Sequence, residues 1–306
     1  MDVEGHNQTM PGTRVYRGPD AQRRVRNRLL LDAIVRRMFS FSTIFTIAVL
    51  GILLFRIVSQ SVGWLDWKFL TSNLSLSASR AGIKGVIIGS GLLMLVVTPL
   101  TILLGTATAV FLEEYVRKGI LHTAVRINIA NLAAVPSVIF GLLGLTVFSR
   151  LLGLGSSILA GAMTMSLLVL PIVVVAGQEA LRAVPGFLRE ASYAVGATRW
   201  TTIWRVVLPA ALPGILTGSI LAISRAIGET APLVVLGIPA LILRIPQNLM
   251  DNFTALPVQI YYWTLDSVLV AEYANLAAAT ILVLLALLFL LNATAIVIRN
   301  RFARKY

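Results

Sequence analysis

The sequence predicts an all-α integral membrane protein with six transmembrane helices and both termini in the cytoplasm. Of its 306 residues, 57% are hydrophobic and only 13% are charged, whereas about 25% of the residues of soluble proteins are charged. The hydrophobic residues cluster in blocks of about 20 or more, the length that a helix needs to cross the roughly 30 Å apolar core of a bilayer. The basic residues concentrate between alternate blocks. An ordinary soluble domain is therefore excluded.

Six apolar blocks follow one another along the chain. They are predicted at residues 40–59, 83–112, 127–148, 156–177, 209–238 and 273–298. The second and fifth blocks are longer than a bilayer requires, so these helices are expected to tilt, kink or project beyond the membrane. Neighbouring helices can satisfy the backbone groups that prolines leave without a partner. Prolines fall inside the blocks at Pro99, Pro136, Pro171, Pro213 and Pro232.

Three parts of the chain differ in composition. Residues 1–39 are polar, turn-rich and basic, and they are predicted to form a flexible cytoplasmic leader. Residues 40–298 are predicted to form the six-span membrane domain, and residues 299–306 a short basic cytoplasmic tail. The first apolar block is too long for the core of a signal peptide, so an uncleaved anchor is expected. The leader either binds anionic lipids or is a solvated segment that sets the orientation of the first span.

The basic residues also set the predicted orientation. With the N-terminus inside, most lysines and arginines fall on the cytoplasmic side, which is the positive-inside pattern of membrane proteins. The outer side carries only Lys68, Arg80, Lys84, Arg150 and Arg244. Tryptophan side chains favour membrane interfaces, and Trp64, Trp67 and Trp263 are predicted at the outer interface, Trp200 and Trp204 at the inner one. The apolar but proline-broken outer segment 239–271 either packs on the outer mouth or lies in the interface.

Several kinds of chemistry are excluded by composition. The chain has no cysteine, which rules out disulfides, thiolate metal sites and cysteine nucleophiles. His6 and His122 lie far apart without ligand-like neighbours, so no metal or other bound cofactor is expected. Membrane topology explains the net charge of +13, so no nucleic-acid partner is expected. The chain also lacks a Gly-x-x-x-x-Gly-Lys-Ser/Thr segment and hence a phosphate-binding nucleotide loop; any ATP must be hydrolysed by another chain.

The cytoplasmic loop between the fourth and fifth blocks, residues 178–208, has a helical pattern of its own. Leu188, Ala191 and Val195 recur at helical spacing. Gly196 suits a helix end or a sharp bend, and a second apolar set follows it. Such a helix–glycine–helix unit is either a knob that docks another protein or a linker that lies on the lipid surface. Periodicity supports these two interpretations equally.

The residues of this loop resemble the EAA motif of the permease subunits of binding-protein-dependent ABC importers. That motif reads Glu-Ala-Ala, three residues, Gly, nine residues, Ile, one residue, Leu-Pro. Ser192 and Val206 depart from it, and the matching positions are Glu190, Ala191, Gly196, Leu208 and Pro209. The resemblance implies a non-catalytic subunit with the type I importer transmembrane fold. It also implies that the matching residues couple the subunit to a separate ATPase, which binds the ATP and magnesium.

The fifth block contains a pair of opposite charges. Arg225 and Glu229 are four residues apart and share a helix face. Arg225 is expected roughly 24 Å along the helix from Pro209, deep in the membrane or near its outer half. Intramembrane charges usually face a bundle interior or a wet cavity, and a guanidinium suits phosphate-like oxyanions. The pair is therefore either part of a substrate pathway or a structural ion pair.

The stretch from Arg225 to Leu233, Arg-Ala-Ile-Gly-Glu-Thr-Ala-Pro-Leu, resembles phosphate-specific permeases of the PstA type. This resemblance covers most of the chain from about residue 40. It implies phosphate transport by alternating access in a bacterial cell membrane, with Arg225 meeting the anion and Glu229 competing as its partner. The implied partners are a PstC-type permease, two PstB-type ATPases and a PstS-type phosphate-binding protein. The alternatives are an ABC permease for sulfate or molybdate, or a stand-alone secondary transporter or channel.

Overall fold

The computed structural model of the chain describes residues 19–302, apart from residues 118 and 243. Within this part of the chain every regular element is helical. Five of the described helices are long and apolar enough to cross a membrane, and a sixth crossing results if one bent helix pair counts as a single span. The predicted fold class, an all-α membrane domain with six spans, is confirmed in this form. The expectations for residues 1–18 and 303–306 lie outside the described residues.

The first of the two units into which the chain divides, residues 1–56, contains most of the first helix. This helix, α1 (Pro19–Ser61), begins at a proline, whose fixed φ suits the first helical turn. Its apolar part, Leu31–Ser61, is long enough to cross a membrane. Residues 19–39 were predicted to be part of a flexible leader, but they are helical. Arginine, leucine and alanine, which favour helices, continue there into the span without a glycine or proline to stop it.

The second unit, residues 57–306, is built on three long helices that pack together. They are α3 (Lys84–Val110), α6 (Ile158–Arg182) and α9 (Leu208–Gly228). α6 packs against both others. Its contact with α9 is lined by small residues, because Gly214 and Gly218 face Ala180 and Ala176. A methyl group at Gly214 would lie 2.8 Å from the Cβ of Ala180, closer than two carbon atoms tolerate. Small residues four apart let membrane helices approach in this way.

The third predicted span, residues 127–148, is broken rather than straight. It consists of α4 (Ile120–Leu132) and α5 (Ser137–Leu143), and α5 continues in π-helical turns to Leu151. The two parts meet at an angle of 99°. Pro136 explains the break, because proline lacks the N–H that would continue the helix and restricts the residue before it. The sequence placed Pro136 inside the predicted span 127–148, and the structure shows that the helix breaks there.

The fifth predicted span also ends early, at Gly228 instead of residue 238. Glu229 is extended (φ −76°, ψ 124°), and a short helix, α10 (Ala231–Val235), follows with a proline in its first turn. Pro232 has no N–H for the hydrogen bond that would continue α9. α10 packs on α5, where Gly141 leaves room for the backbone of Pro232. The two proline breaks therefore pack against each other.

The outer segment packs on the bundle. It contains α11 (Leu256–Asp266), which precedes the last helix, α12 (Glu272–Phe302), and packs on it. The backbone N–H of Leu256 donates to the hydroxyl of Ser90 on α3 at 2.8 Å. Trp263 is buried and lies beside the rings of Tyr273 and of Phe69, which belongs to the short helix α2 (Trp67–Thr71). Of the two alternatives for residues 239–271, packing is the one observed, and Trp263 is a core residue rather than an interfacial anchor.

Candidate substrate pathway and coupling surface

The break at the end of α9 places two opposite charges beside each other. Arg225 lies in the last turn of α9, and Glu229 follows the helix, with its N–H donating to the carbonyl of Ala226 at 3.2 Å. The Nε–H of Arg225 donates to Oε1 of Glu229 at 3.2 Å. The ion pair is thus formed, but Glu229 stands beyond the helix and not on its face. Its N–H makes one last hydrogen bond to α9, but its extended backbone does not continue the helix that holds Arg225.

Arg225 belongs to an exposed stripe of α9. Leu221, Arg225 and Gly228 are exposed at helical spacing, whereas Ala222 and Ala226 on the opposite face are buried. The Arg225 side chain is 49% exposed and that of Glu229 is 19% exposed. A guanidinium on an apolar membrane helix is costly unless it faces a wet cavity or a partner. The stripe that carries Arg225 therefore faces away from the packed core of this chain.

One residue before Arg225, a polar contact joins α9 to α12. The hydroxyl of Ser224 lies within hydrogen-bonding distance of the carbonyl of Ile220 and of Oδ1 of Asn292. Asn292 is the one amide in the apolar stretch of α12 from Leu276 to Ile298. Polar side chains between membrane helices contribute to their association. This contact restrains the end of α9 beside its exposed stripe.

The loop that was predicted to be a knob is a short helix with a defined end. α7 (Gly186–Ala194) is followed by Gly196, whose φ of +81° is the left-handed conformation that favours glycine. The N–H of Gly196 donates to the carbonyl of Tyr193 at 2.9 Å, and the N–H of Ala197 donates to the carbonyl of Ser192 at 3.2 Å. These two bonds form a Schellman C-cap. The predicted helix–glycine–helix unit is confirmed.

The second helix of the unit joins the fifth span directly. α8 (Arg199–Thr202) begins at Thr198, whose hydroxyl accepts a hydrogen bond from the N–H of Thr201. A π-helical turn then links α8 to α9, so the helical path runs from Arg199 to Gly228 without interruption. Ser192 of α7 and the buried Thr202 of α8 share a hydrogen bond of 2.8 Å between their hydroxyls. This bond explains the serine that departs from the EAA pattern, because it ties the two helices of the unit together.

The outward surface of this unit is apolar. Five of its large hydrophobic side chains are exposed: Phe187, Tyr193, Val195, Trp200 and Trp204. Glu190, Ala191 and Gly196 are exposed among them. Leu208 and Pro209 are half-buried at the start of α9, so the structure does not bring these two residues to the same surface. An exposed apolar patch of this kind marks a contact with another protein or with lipid.

Behind the unit, α3 continues past Val110 into one further turn, which contacts three other elements. This turn, Phe111–Tyr115, is π-helical. Glu113 forms a two-bond ion pair with Arg182 at the end of α6, and the nearly buried Glu114 accepts from Nη2 of Arg189 on α7 at 2.9 Å. The guanidinium of Arg199 lies 5.1 Å from the centre of the Tyr115 ring. In the sequence these arginines served only to assign the membrane orientation. The signal that could have indicated their partners is the pair of adjacent glutamates, Glu113 and Glu114, at the end of the second span.

The comparisons with known proteins agree with this architecture. The sequence model of the family described as binding-protein-dependent transport system inner membrane components matches residues 101–306, more than half of the chain.

The chain belongs to this family.

A phosphate transport system permease protein PstA from Yersinia pestis is 33% identical over 290 residues and covers 94% of each chain. A PstA 1 protein from Mycobacterium tuberculosis is 34% identical over 242 residues, which is 77% of this chain and 76% of its own length. A bacterial alginate ABC transporter, solved with its substrate-bound periplasmic protein, contains a chain of similar fold. That chain has a TM-score of 0.58 and 18% identity, and the match covers 89% of this chain and 94% of that one.

This inner membrane component is thus a multi-pass membrane protein of the bacterial importer fold, as the EAA resemblance implied. The structure brings Arg225 and Glu229 together and displays Glu190, Ala191 and Gly196 on one unit. It also adds polar groups that the sequence did not indicate as partners: Ser224 with Asn292, Ser192 with Thr202, and Glu114 with Arg189.

Proposed function

We propose that this chain is the permease subunit of an ATP-driven phosphate importer and forms half of the translocation pathway in a bacterial cell membrane. The family and the PstA relatives support this function. The observation that carries it is Arg225, a half-exposed guanidinium on the unpacked face of a membrane helix, held by a single carboxylate. Such a site suits an anion that competes with that carboxylate.

The chemistry of Arg225 fits a tetrahedral oxyanion. A guanidinium offers parallel N–H donors to two oxygens at once, and the hydrogen bond to Glu229 uses only its Nε–H. An arriving phosphate would take the remaining donors or displace Glu229. Because Glu229 lies on extended backbone beyond α9, it can move without unwinding a helix turn. In the empty pathway Glu229 is then the counter-ion of Arg225. When phosphate is bound, Arg225 is its binding site.

Energy reaches the pathway from a partner. The apolar unit formed by α7 and α8, within the coupling loop 178–208, presents Glu190, Ala191 and Gly196 to a PstB-type ATPase that binds ATP and magnesium. Leu208 and Pro209 continue the path into α9. Arg225 follows Arg199 by 26 positions along the helical path, roughly 39 Å at 1.5 Å per residue. Closure of two ATPases would therefore shift the helix that carries the anion site.

The remaining partners complete the pathway. A PstC-type permease would supply the other wall opposite the exposed stripe of α9, and a PstS-type binding protein would deliver phosphate at the outer face. The leader (residues 1–39) and the tail (299–306) would lie on the cytoplasmic side of the membrane domain (40–298). This chain would hydrolyse nothing itself.

Transport by the reconstituted complex tests the proposal. Proteoliposomes that contain this chain, the second permease and the ATPases are supplied with binding protein and with radiolabelled phosphate, sulfate or molybdate. Uptake of phosphate that requires ATP is the expected result. Preferential uptake of sulfate or molybdate would assign the chain to another oxyanion, and ATP-independent uptake would make it a secondary transporter or channel.

A further inference from the structure

The cytoplasmic end of α3 is joined to the coupling unit by a buried ion pair. Glu114, the fourth residue of the π-helical turn Phe111–Tyr115, accepts a hydrogen bond from Nη2 of Arg189 at 2.9 Å. Arg189 lies on α7, immediately before Glu190 in the chain. The side chains of Arg189 and Glu114 are 24% and 9% exposed. π-Helical turns inside α-helices are frequent at functional sites.

Arg189 does more than pair with Glu114. Its Nη1 donates to the carbonyl of Val184, and its Nη2 donates to the carbonyl of Leu181, both at 2.9 Å. Leu181 lies in the last turn of α6 and Val184 in the turn that follows, where helix carbonyls lack their full set of backbone partners. A single guanidinium on α7 therefore contacts the end of α3 through a carboxylate, α6 through the carbonyl of Leu181, and the turn after α6 through the carbonyl of Val184. It holds α7, α3 and α6 in one arrangement.

A second ion-pair network lies nearby but does not include α7. Glu113 of α3 pairs with Arg182 of α6, and Glu179 of α6 lies 3.3 Å from Arg182 and 3.6 Å from Arg126 of α4. Glu179 is more than half exposed, so water and salt screen its pairs. This network joins membrane helices to each other. Among the described ion pairs, the one between Glu114 and Arg189 is the one that reaches the coupling helix.

The covalent chain gives the coupling unit only one continuous helical route into the bundle, through α8 and α9. α3 carries no residue of the coupling unit, yet it packs closely on α6, where Gly105 meets Val173 and Gly177 meets Ala109. Without a lateral contact, a displaced α7 could pivot about the turn at Ala183–Pro185 and leave α3 and α6 in place. A buried charge pair resists such a pivot, since separation leaves both charges without compensation.

We infer that Glu114 and Arg189 are positioning residues that make the coupling helix α7 move as one body with α3 and α6. The inference rests on the proposed function, because it assumes that α7 receives the motion of an ATPase. The contact adds a second path for that motion, beside the one through α9. Its loss would let ATP hydrolysis continue while fewer anions cross for each ATP consumed.

The first experiment measures that ratio in the reconstituted complex. Glu114→Gln keeps the side-chain volume and removes the charge, and it is expected to lower the number of phosphates transported per ATP by about tenfold, within the range of measured coupling effects. Glu114→Asp, which keeps the charge, is expected to retain most of the ratio. The matched control is Glu179→Gln, which removes a carboxylate from the same side of the membrane without touching α7. An unchanged ratio in Glu114→Gln would overturn the inference, and so would an equal loss in Glu179→Gln.

A second experiment does not depend on how well the charge variant assembles. The sequence contains no cysteine, so Glu114→Cys with Arg189→Cys creates a unique thiol pair in this chain. One preparation, assembled with cysteine-free partners, is divided and half is joined with a short bismaleimide. The joined half is expected to transport several-fold more phosphate per ATP than the unjoined half. Equal ratios of phosphate to ATP in the two halves would show that the contact between positions 114 and 189 does not position α7. A lower ratio in the joined half would show that this contact must break during transport.

The wild-type complex distinguishes the two levels of the argument. If it hydrolyses ATP but transports sulfate or molybdate, the proposed substrate fails, and the same ratio measured with that anion still decides the role of Glu114. If it transports phosphate with ATP and the variants match it, the proposed function stands and the positioning role fails.

Discussion

Two arginine–glutamate pairs in this chain are built in opposite ways. Arg225 and Glu229 are four residues apart and share one hydrogen bond, and the arginine is half-exposed. Arg189 and Glu114 are 75 residues apart and mostly buried, and the arginine makes two further hydrogen bonds to backbone carbonyls. An exposed pair contributes little stability and opens easily, whereas breaking a buried pair is costly. The first pair is suited to a site where an incoming anion replaces the carboxylate. The second is suited to a structural contact that stays formed.

Removal of the arginine in the open pair is expected to have the largest effect. Arg225→Gln should lower phosphate uptake by about 100-fold or more, because two charge-assisted hydrogen bonds of about 1.5–3 kcal/mol each are lost. Membrane assembly should persist, since the side chain is half-exposed. Arg225→Lys should be intermediate, because it keeps the charge without the planar fork. Uptake is measured in cells that have no other phosphate importer.

The control for this prediction is Arg150→Gln, which removes an exposed arginine elsewhere on the chain and should leave uptake nearly unchanged. Normal uptake by Arg225→Gln would mean that the pair of Arg225 and Glu229 is only a structural contact. The contrast between the two arginine–glutamate pairs would then have no functional meaning.

A change at the docking surface should affect coupling more than substrate binding. Gly196→Asp places a side chain at a φ of +81°, which costs about 1 kcal/mol, and it adds a charge to an apolar surface. Recovery of the ATPase in co-purification should fall by about tenfold, equivalent to about 1.4 kcal/mol. The control is Gly186→Asp at the other end of α7, where φ is ordinary and no neighbouring atom lies within 4 Å of an added Cβ.

If the Gly196→Asp variant still co-purifies with the ATPase and still shows substrate-stimulated ATP hydrolysis, this surface is not part of the docking interface. The unit would then be better described as a linker on the lipid surface.

A third variant tests the packing of α9, the helix that connects the coupling unit to Arg225. Gly218→Ala adds a methyl group that would overlap Ala176 of α6, and such overpacking is expected to cost about 1–3 kcal/mol of unfolding free energy. Thermal unfolding of the purified chain in detergent measures the effect. Gly91→Ala on α3, where no atom lies within 4 Å of the added carbon, should be neutral or slightly stabilising. Equal stability of the two variants would contradict the close packing of α9 on α6.

The smallest effect is expected inside the coupling unit. Ser192→Ala restores the alanine of the EAA pattern but removes the hydroxyl that pairs with Thr202, at a cost of about 1 kcal/mol. Unfolding should shift measurably while transport stays within about twofold of the wild type. A large loss of transport with unchanged stability would give Ser192 a direct part in docking.

Much of this architecture could be predicted from the sequence. Long apolar blocks cannot remain in water, so five spans appear close to their predicted places, and the helix–glycine–helix unit follows from the periodicity around Gly196. The breaks could not be predicted in the same way. Pro99 and Pro171 lie inside continuous helices, whereas Pro136 and Pro232 accompany breaks. The difference depends on packing, because Gly141 of α5 lets Pro232 approach and the two broken segments support each other.

The sequence by itself determined the class of the protein, its lack of a nucleotide loop and the four-residue spacing of Arg225 and Glu229. Each of these depends on composition or on residues only a few positions apart. Only the tertiary structure decided which side chains meet across the chain. Glu114 and Arg189 look like two unrelated charges in the sequence, since nothing in a span of 75 residues fixes their distance. They form a pair because the fold brings α7 beside the ends of α3 and α6, where a buried carboxylate needs a partner.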